Sequence, residues 1–300
     1  MKRLFYYLQR IRTYYQRQGL RRTLKYLLDN GLQKRVINRY HYFTKRDRYP
    51  QNIVFIAGLA KGGSTWLYHL FASLDGFASF APARWTAAVG RSYTIHDWDL
   101  YSGLFREFRH HLAVIRGHTL ATGENLALIR EHRLKVIVSM RDPRDAAISG
   151  YWYFRRSRFH RHYEAMQDMS LADYITFMLD SGRLNEMILS WMRSWLDIQD
   201  EEWIHPIRYE DLLKDTSGVL SAALGFLAFP TSMEEIERIV EKNRFERVAG
   251  RKRGVEDVTG FLRKGVAGEW KEVFSLEQKK RFAKIGEDVI QRLEYEPTLT

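Results

Sequence analysis

The 300-residue sequence predicts an α/β protein with a central parallel sheet flanked by helices, preceded by a basic helical extension. Two observations predict the sheet: apolar runs typical of buried strands alternate with helical patterns, and a glycine-rich turn joins the first strand to a helix. A third observation, the uneven charge, predicts the extension. We therefore divide the chain into an extension over residues 1–50 and one α/β domain over residues 51–300.

The extension carries the whole charge excess of the chain. The formal net charge is +12, and residues 1–50 contain 14 Lys and Arg residues against only Asp29 and Asp47. Apolar residues at three- and four-residue steps predict an amphipathic helix near its start, at Leu4, Leu8, Ile11 and Tyr15. A second short helix is predicted over residues 21–29.

This extension allows two interpretations. Basic residues interleaved with tyrosines are typical of interfacial helices, so residues 1–29 are predicted to dock on an anionic membrane surface. The alternative is that these helices cover the rest of the chain or a dimer interface. The pattern does not decide between them.

The composition excludes several kinds of site. With no cysteine, disulfides, thiolate metal sites and cysteine nucleophiles are excluded. The paired histidines lack supporting carboxylate spacing, so no metal site is predicted. Without a signal peptide or a transmembrane run, the predicted location is cytoplasmic, with peripheral attachment to a membrane as the alternative. Because the body beyond residue 50 is neutral, a nucleic-acid partner is not predicted.

The elements of the domain follow in order. Strands are predicted at residues 52–58, 112–118, 135–140 and within 201–210. Helices are predicted at residues 64–74, 123–132, 143–154, 170–181, 183–198, 216–227, 232–242 and 275–292. Residues 76–110 show little periodicity and predict irregular connections with one short helix. Residues 250–270 predict a lid or binding loop.

The turn after the first strand has the sequence GLAKGGST, residues 58–65. Backbone amides of such a turn converge on one point at a helix N-terminus, which favours a phosphate-like anion there. The spacing is that of a phosphate-binding P-loop, but Ser64 stands where the lysine belongs and Lys61 lies three residues earlier. A tight turn without a ligand, or an ATP-dependent kinase with an atypical P-loop, would also have such a sequence. A kinase fits less well, because the strand at 135–140 runs into Arg141 instead of an acid for magnesium.

Three motifs carry a family resemblance. AKGGSTW at residues 60–66, RDPRDAAIS at 141–149 and RKGVAGEWK at 263–271 occur in that order. They resemble the 5′-phosphosulfate loop, the 3′-phosphate motif and the C-terminal signature of sulfotransferases that use 3′-phosphoadenosine-5′-phosphosulfate (PAPS). The resemblance implies a P-loop-NTPase-like sulfotransferase fold, transfer of a sulfuryl group from PAPS to an acceptor hydroxyl, and no metal.

The same resemblance implies a role for each matched residue. Lys61 would contact the oxygen that bridges phosphate and sulfate. The 5′-phosphate would be held by the loop amides and hydroxyls of Gly62, Gly63, Ser64 and Thr65. The 3′-phosphate would be held by Arg141, Ser149, Arg263, Lys264 and Gly265. The adenine would contact Trp66, Tyr209 and Phe245. The aromatic residues would otherwise be ordinary core side chains.

His118 is the predicted general base. It lies at the end of a predicted strand and resembles the histidine of the family's KTH segment, although Arg116 replaces the lysine two residues before it. A histidine of ordinary pKa is suited to take a hydroxyl proton near neutral pH. A structural histidine is the alternative, in which case a carboxylate such as Glu124 is the candidate base.

The acceptor class stays open at this stage: a carbohydrate, a lipid or a small alcohol or phenol would all fit. The basic run at residues 155–164 would either line a site for an acidic acceptor or form a solvated helix end, and the second structure is the commoner one. Besides the kinase, a non-catalytic nucleic-acid- or membrane-binding protein on this fold is the competing class. It would bind with a steep salt dependence.

Overall fold

The computed structural model describes residues 32–80, 82, 99–157, 162–260 and 262–299. The two helices predicted within residues 1–29 lie outside the described residues. Within the described part of the chain, no helix is both long enough and apolar enough to cross a membrane.

A five-stranded parallel sheet forms the centre of the molecule. Its strands are β1 (Ile53–Gly58), β2 (Ala78–Phe80), β3 (Ala113–Gly117), β4 (Val136–Met140) and β5 (Ile204–Arg208). They lie in the order β2-β3-β1-β4-β5, and every neighbouring pair is parallel. The predicted α/β class with a central parallel sheet is confirmed.

Helices cover both faces of this sheet, so its central strand is buried along its whole length. Alternate residues of β1 point to opposite sides: Phe55 packs in one apolar cluster and Ile56 in the other. Strands buried on both faces are expected to be continuously apolar, and IVFIAG is such a run.

The described helices, numbered along the chain, are α1 (Leu32–Lys45), α2 (Ser64–Phe71), α3 (Leu104–Glu107), α4 (Gly123–Glu131), α5 (Pro143–Arg156), α6 (Tyr163–Gln167), α7 (Leu171–Asp180), α8 (Ser190–Leu196), α9 (Tyr209–Lys214), α10 (Thr216–Phe226), α11 (Met233–Lys242), α12 (Phe245–Ala249), α13 (Trp270–Val273) and α14 (Leu276–Arg292). Several begin at a side-chain cap: Thr122, Ser170, Ser232 and Ser275 each accept a hydrogen bond from the backbone amide three residues ahead.

Several elements were not predicted from the sequence: the edge strand β2, helix α1 and the short helices α6, α9, α12 and α13. The edge strand β2 is only three residues long, too short for a period of two to be visible. Helix α1 leaves apolar side chains exposed, including Tyr40 and Phe43, so its apolar pattern does not mark its buried face. The predicted helix at 183–198 contains a π-helical turn, Asn185–Leu189, before α8.

Helix α1 is fastened to the sheet by a polar residue. The buried Asn38 amide donates to the carbonyls of Gly76 at 2.8 Å and Leu112 at 2.9 Å. Tyr49, just beyond the helix, packs into the core beside Phe229. Residues 32–49 therefore contact the body that follows them.

The start of α5 is organised around a fully buried arginine. The Arg144 guanidinium makes two-point contact with Asp142, at 2.9 and 2.7 Å, and lies 3.5 Å from the centroid of Trp270. It also donates to the Thr298 hydroxyl. This pairing satisfies both charges and fixes the turn between β4 and α5, where Arg141 lies.

The carboxyl ends of the central strands meet at one edge of the sheet. The glycine-rich loop follows β1, His118 follows β3, Arg141 follows β4 and Tyr209 follows β5. Ligands of open parallel sheets bind at this edge, next to the strand where connections diverge.

Candidate active site

The loop between β1 and α2 is a tight turn held against β4. The Leu59 amide donates to the carbonyl of Ser139 at 2.9 Å, and the Ser139 hydroxyl donates to the carbonyl of Gly62 at 2.6 Å. The Gly62 amide donates to the Leu59 carbonyl within the loop, so it already has a protein partner. Gly63 has φ +82°, and a Cβ there would lie 2.5 Å from the Tyr209 ring. Only glycine fits this position.

Lys61 adopts a left-handed backbone conformation, with φ of 68°. Such a conformation costs a non-glycine residue roughly 1 kcal/mol or more, and it recurs at functional sites. Its ammonium lies 4.7 Å from the centroid of Tyr153, on α5. The loop therefore has a lysine at a backbone conformation that glycine would adopt more easily. The Lys61 side chain extends from there to Tyr153 on α5.

Ser64 and Thr65 form the first turn of α2, whose backbone amides have no partner within the helix. Ser64 is buried against Gly58, where an added Cβ would lie 2.3 Å from the Ser64 Cβ. Thr65 accepts a hydrogen bond from Arg116 of β3. The amides and hydroxyls of this turn thus lie beside Arg116 as well as Lys61.

A separate cationic group, formed by Arg141, Arg263 and Lys264, lies beside the loop. Arg141 donates to the carbonyls of Lys61 at 3.4 Å and Val266 at 3.0 Å, which connects the loop with the segment after residue 262. Its guanidinium also lies 4.5 Å from the centroid of Tyr209. Arg141 Nε is buried without a hydrogen-bond partner among the described residues.

Two glutamates hold the remaining cations of this group. Arg263 donates to Glu256 at 2.6 Å and to Glu269 at 2.9 Å, and Lys264 donates to Glu269 at 2.7 Å. Although burial opposes it, Arg263 and Lys264 hold the pKa of Glu269 below its usual value. An anion that binds here would meet cations already oriented by carboxylates.

A cavity of about 300 Å³ joins these groups. Of the predicted site residues, eleven line it: Lys61, Gly63, Thr65, Trp66, Arg141, Ser149, Tyr209, Phe245, Arg263, Lys264 and Gly265. Three others lie next to it without lining it. These are Gly62 and Ser64 in the loop, and His118.

The aromatic end of the cavity lies between α2 and the segment after residue 262. Trp66 and Tyr209 meet edge to face, with ring centroids 6.3 Å apart, and Trp66 Nε1 is buried without a hydrogen-bond partner among the described residues. Phe245 is packed so closely on Gly265 that a Cβ there would lie 2.7 Å from the ring. Arg253, which was not predicted, lies 5.2 Å from the centroid of Trp66.

His118 is oriented by the backbone of β1. Its Nδ1 lies 2.6 Å from the Gly58 carbonyl. A carbonyl only accepts hydrogen bonds, so Nδ1 carries the proton and Nε2 carries the lone pair of the neutral ring. Burial, reinforced by Arg116 and Lys61, lowers the pKa of His118 to about 4. The alternative base, Glu124, lies exposed in the first turn of α4 and does not line the cavity.

Burial and the surrounding cations change the pKa of Lys61. Burial, together with the charges of Arg156, Arg141, Arg116 and Arg263, lowers the pKa of Lys61 to about 7. A bound anion would reverse this effect, because it stabilises the charged ammonium. Among the described residues, no group of three or more His, Asp or Glu side chains is placed to hold a metal ion.

The sequence between residues 51 and 294 matches the family model described as "Sulfotransferase domain". The chain belongs to the sulfotransferase family. The predicted family is thereby confirmed, and the match covers the loop, the Arg141 motif and the segment around Arg263.

Curated relatives of this sulfotransferase include a guinea-pig (Cavia porcellus) 3-beta-hydroxysteroid sulfotransferase, 28% identical over 162 residues, which are 51% of this chain and 55% of that protein. Human sulfotransferase 2A1 is 26% identical over the same shares. The chain thus spans about half the length of the curated relatives it matches.

Solved structures share the fold. A mouse sulfotransferase, SULT7A1, complexed with 3′,5′-adenosine bisphosphate (PAP) superposes with a TM-score of 0.62 at 17% identity, over 85% of this chain and 90% of that one. A retinol dehydratase in complex with androsterone and PAP superposes with a TM-score of 0.55 at 18% identity, over 84% and 86%. These likenesses confirm the predicted sulfotransferase fold.

Ten residues of this sulfotransferase that line the cavity were not among the predicted site residues, and four of them bear on its chemistry: Trp152, Tyr153, Arg156 and Arg253. Tyr153 and Arg156 lie four and seven residues after Ser149, on one face of α5, so the helical period gave a signal for them. Arg253 lies in an unpatterned loop, and nothing in the sequence indicates that it folds over Trp66.

Arg155 and Arg156 do not form the solvated helix end that the basic run suggested. Arg155 donates to the carbonyls of Met166 and Met169, at 3.0 and 3.2 Å, and Arg156 lines the cavity. The commoner interpretation of this run was therefore wrong for its first two residues.

Proposed function

We propose that this sulfotransferase transfers the sulfuryl group of PAPS to an acceptor hydroxyl. One observation carries the proposal: a single cavity combines a lysine-bearing anion loop with a separate cationic group of Arg141, Arg263 and Lys264. Two anion sites within one nucleotide-sized cavity suit a ligand with phosphates at both the 5′ and 3′ positions. ATP carries its charge on one side of the ribose only.

The residues fit this donor. Four atoms of cavity-lining residues are buried without a hydrogen-bond partner among the described residues: Trp66 Nε1, Arg141 Nε, Trp152 Nε1 and Arg253 Nε. Of these, Trp66 Nε1 lies at the end assigned to adenine and Arg141 Nε at the end assigned to the 3′-phosphate. The glycines at 63 and 265 lie where a side chain would collide with Tyr209 and Phe245. Lys61 and the first turn of α2 would hold the phosphosulfate, and Ser149 would join the 3′-phosphate group.

The chemistry follows from the charges. The donor supplies the sulfuryl group: the acceptor oxygen bonds to sulfur as the bond from sulfur to the bridging oxygen breaks, and PAP leaves with the electron pair. Lys61 then offsets the negative charge that develops on the leaving phosphate. His118, with the lone pair on Nε2, takes the proton of the acceptor hydroxyl.

The competing kinase has less support in this cavity. A kinase needs carboxylates for magnesium near the phosphates. The nearby Asp142 is paired with Arg144, and Asp145 accepts from the amides of Gly268 at 2.6 Å and Trp270 at 3.0 Å. Both carboxylates therefore already serve structural contacts.

Calorimetric titration tests the donor. We expect PAP to bind at micromolar or lower concentration, and ATP with magnesium to bind at least tenfold more weakly, because ATP leaves the 3′-phosphate group of cations unmatched. Equal or tighter binding of ATP with magnesium would support the kinase instead.

Binding of PAP should also take up a proton. Lys61 has a pKa of about 7 in the free cavity, so at pH 8 it is mostly neutral, and the bound 5′-phosphate should return it to the charged form. Phosphate esters with a second pKa of about 6 release almost no proton at pH 8. We expect an uptake approaching one proton per PAP at pH 8, measured by titration in buffers of different ionisation enthalpy. Lys61→Met should abolish it, and an uptake that persists in this variant would assign the proton to another group.

The acceptor of the proposed reaction is a hydroxyl compound, and the contact of residues 1–29 with an anionic membrane stays part of the proposal. Its support is the basic amphipathic pattern alone. Sedimentation with phosphatidylserine vesicles tests it, against a variant with serine at Leu4, Leu8 and Ile11. Equal partitioning of the two proteins would remove the membrane contact.

A further inference from the structure

The cavity holds more cationic side chains than the donor uses. It is lined by six of them and, among the described residues, by no aspartate or glutamate. They are Lys61, Arg141, Arg156, Arg253, Arg263 and Lys264. In the proposed function, four serve the donor: Lys61 at the bridging oxygen and three around the 3′-phosphate. Arg253 and Arg156 are left without a role.

Arg253 belongs to the adenine end. Its guanidinium lies 5.2 Å from the centroid of Trp66, and it donates to the Leu213 carbonyl at 3.2 Å. A guanidinium stacked on an aromatic ring at this end would cover the base and not the reacting groups.

Arg156 belongs to the transfer end. The Lys61 ammonium lies 4.7 Å from the centroid of Tyr153, and the Arg156 guanidinium lies 5.6 Å from the same centroid. Arg156 also donates to the carbonyl of Gly260, which fixes it at the rim where the loop of residues 250–260 meets α5. Of the neighbouring charges that lower the pKa of Lys61, that of Arg156 has the largest effect. Arg156 is therefore a close neighbour of the lysine that marks the reacting bond.

A cation at this position has a chemical consequence for the acceptor. An apolar acceptor would displace water from the Arg156 guanidinium and would offer it no hydrogen-bond acceptor in return, which is unfavourable. A carboxylate, phosphate or sulfate would form charge-assisted, two-point hydrogen bonds with it. The aromatic ring of Tyr153, which lies beside both Lys61 and Arg156, would pack on the uncharged part of such a molecule.

We propose that Arg156 binds an anionic group of the acceptor, so that the acceptors of this enzyme are hydroxyl compounds that already carry a carboxylate, phosphate or sulfate. This inference rests on the proposed function and names the substrate class of the same site. Sulfation then adds a further negative charge to a molecule that Arg156 selects by the charge it already has.

A different role for Arg156 predicts different kinetics. If its guanidinium contacted the transferring sulfuryl group, its loss would lower turnover of every acceptor alike. If it contacted a phosphate of the donor, its loss would weaken PAP binding. Acceptor recognition alone makes the loss depend on the charge of the acceptor.

The test uses the full chain and cell extracts separated by anion exchange into acidic and non-acidic fractions before the reaction. Each fraction is incubated with sulfur-labelled PAPS and with wild type, Arg156→Gln or Arg156→Lys. Arg253→Gln is the matched control, because it removes the same charge from the other end of the cavity. PAP titration of each protein measures donor binding and folding in parallel.

We expect label mainly in products of the acidic fraction, lowered about 10- to 100-fold by Arg156→Gln and less by Arg156→Lys, with PAP affinity within about threefold of wild type. Arg253→Gln should weaken PAP binding and lower both fractions by the same factor. Label mainly in the non-acidic fraction, an equal loss in both fractions with Arg156→Gln, or a tenfold loss of PAP affinity in that variant would each overturn the proposal.

PAP binding and product labelling separate the proposed function from the proposed acceptor class. If wild type does not bind PAP, the proposed function is wrong. If PAP binds and label appears only in the non-acidic fraction, the proposed function stands and the proposed acceptor class is wrong. If PAP binds but neither fraction becomes labelled, both the transfer and the acceptor class are contradicted, and only the donor site stands.

Discussion

Replacement of Lys61 by alanine is expected to lower kcat by about 100- to 1,000-fold, which is the effect of removing one preorganised group that stabilises developing charge. The leaving phosphate gains negative charge only as the bond to sulfur breaks, so the lysine interacts more strongly with the transition state than with the bound donor. PAPS affinity should therefore fall much less than kcat, whereas PAP, in which this charge is fully developed, should lose more affinity than PAPS. Single-turnover rates measured over a range of PAPS concentrations give the maximal rate and the PAPS affinity separately, and PAP titration gives the product affinity.

Lys264→Ala is the matched control for this prediction. It removes the same charge from the same cavity, but from the group assigned to the 3′-phosphate, and Glu269 holds its ammonium at 2.7 Å. We expect the control to weaken donor binding and to leave kcat at saturating PAPS nearly unchanged. A Lys61→Ala enzyme with normal kcat and weakened binding would assign Lys61 to the donor's ground state and remove its proposed catalytic role.

The sheet could be predicted from the sequence because its central strands are continuous apolar runs. Each run ends at a sharp change of residue type, the glycine-rich loop after β1 and Arg141 after β4. The runs ending at Gly58 and Met140 are buried throughout, which only a two-sided sheet allows. Helix α1 could not be predicted in this way. Its attachment uses side-chain contacts such as that of Asn38, which donates to the carbonyls of Gly76 and Leu112, and only the folded chain brings these carbonyls together.

The residues proposed to bind the donor could also be named from the sequence, because most of them lie in short motifs. The residue proposed to bind the acceptor could not be named in that way. Arg156 lies within a basic run, and the charge pattern of that run alone, unlike the helical period, does not distinguish a solvated arginine from one that lines a cavity. Here the direction of α5 decides: seven residues after Ser149, the helix brings Arg156 to the same face.

The removal of His118 is expected to lower kcat by about 100- to 10,000-fold, the usual range for loss of a general base. His118→Ala removes the Nε2 lone pair. The Gly58 carbonyl orients the His118 ring through Nδ1, and among the described residues it orients no other side chain in this way. Added imidazole should restore part of the activity, since it supplies the missing base. His205→Asn is the control: it removes another histidine whose pKa burial lowers, on β5 against Phe226 and outside the cavity, and should leave activity unchanged.

The pH dependence gives this assignment a second, independent test. The profile of kcat/KM for PAPS reports groups of the free enzyme. Because the pKa of His118 is about 4 there, its neutral form persists down to about pH 4, and the acidic limb should lie near that value and not near the ordinary histidine pKa. The alkaline limb should begin near pH 7, where Lys61 loses its proton. The bound anionic donor stabilises the protonated ring, so the acidic limb of kcat should move to higher pH. An active His118→Ala enzyme together with an inactive Glu124→Gln enzyme would transfer the role of base to Glu124.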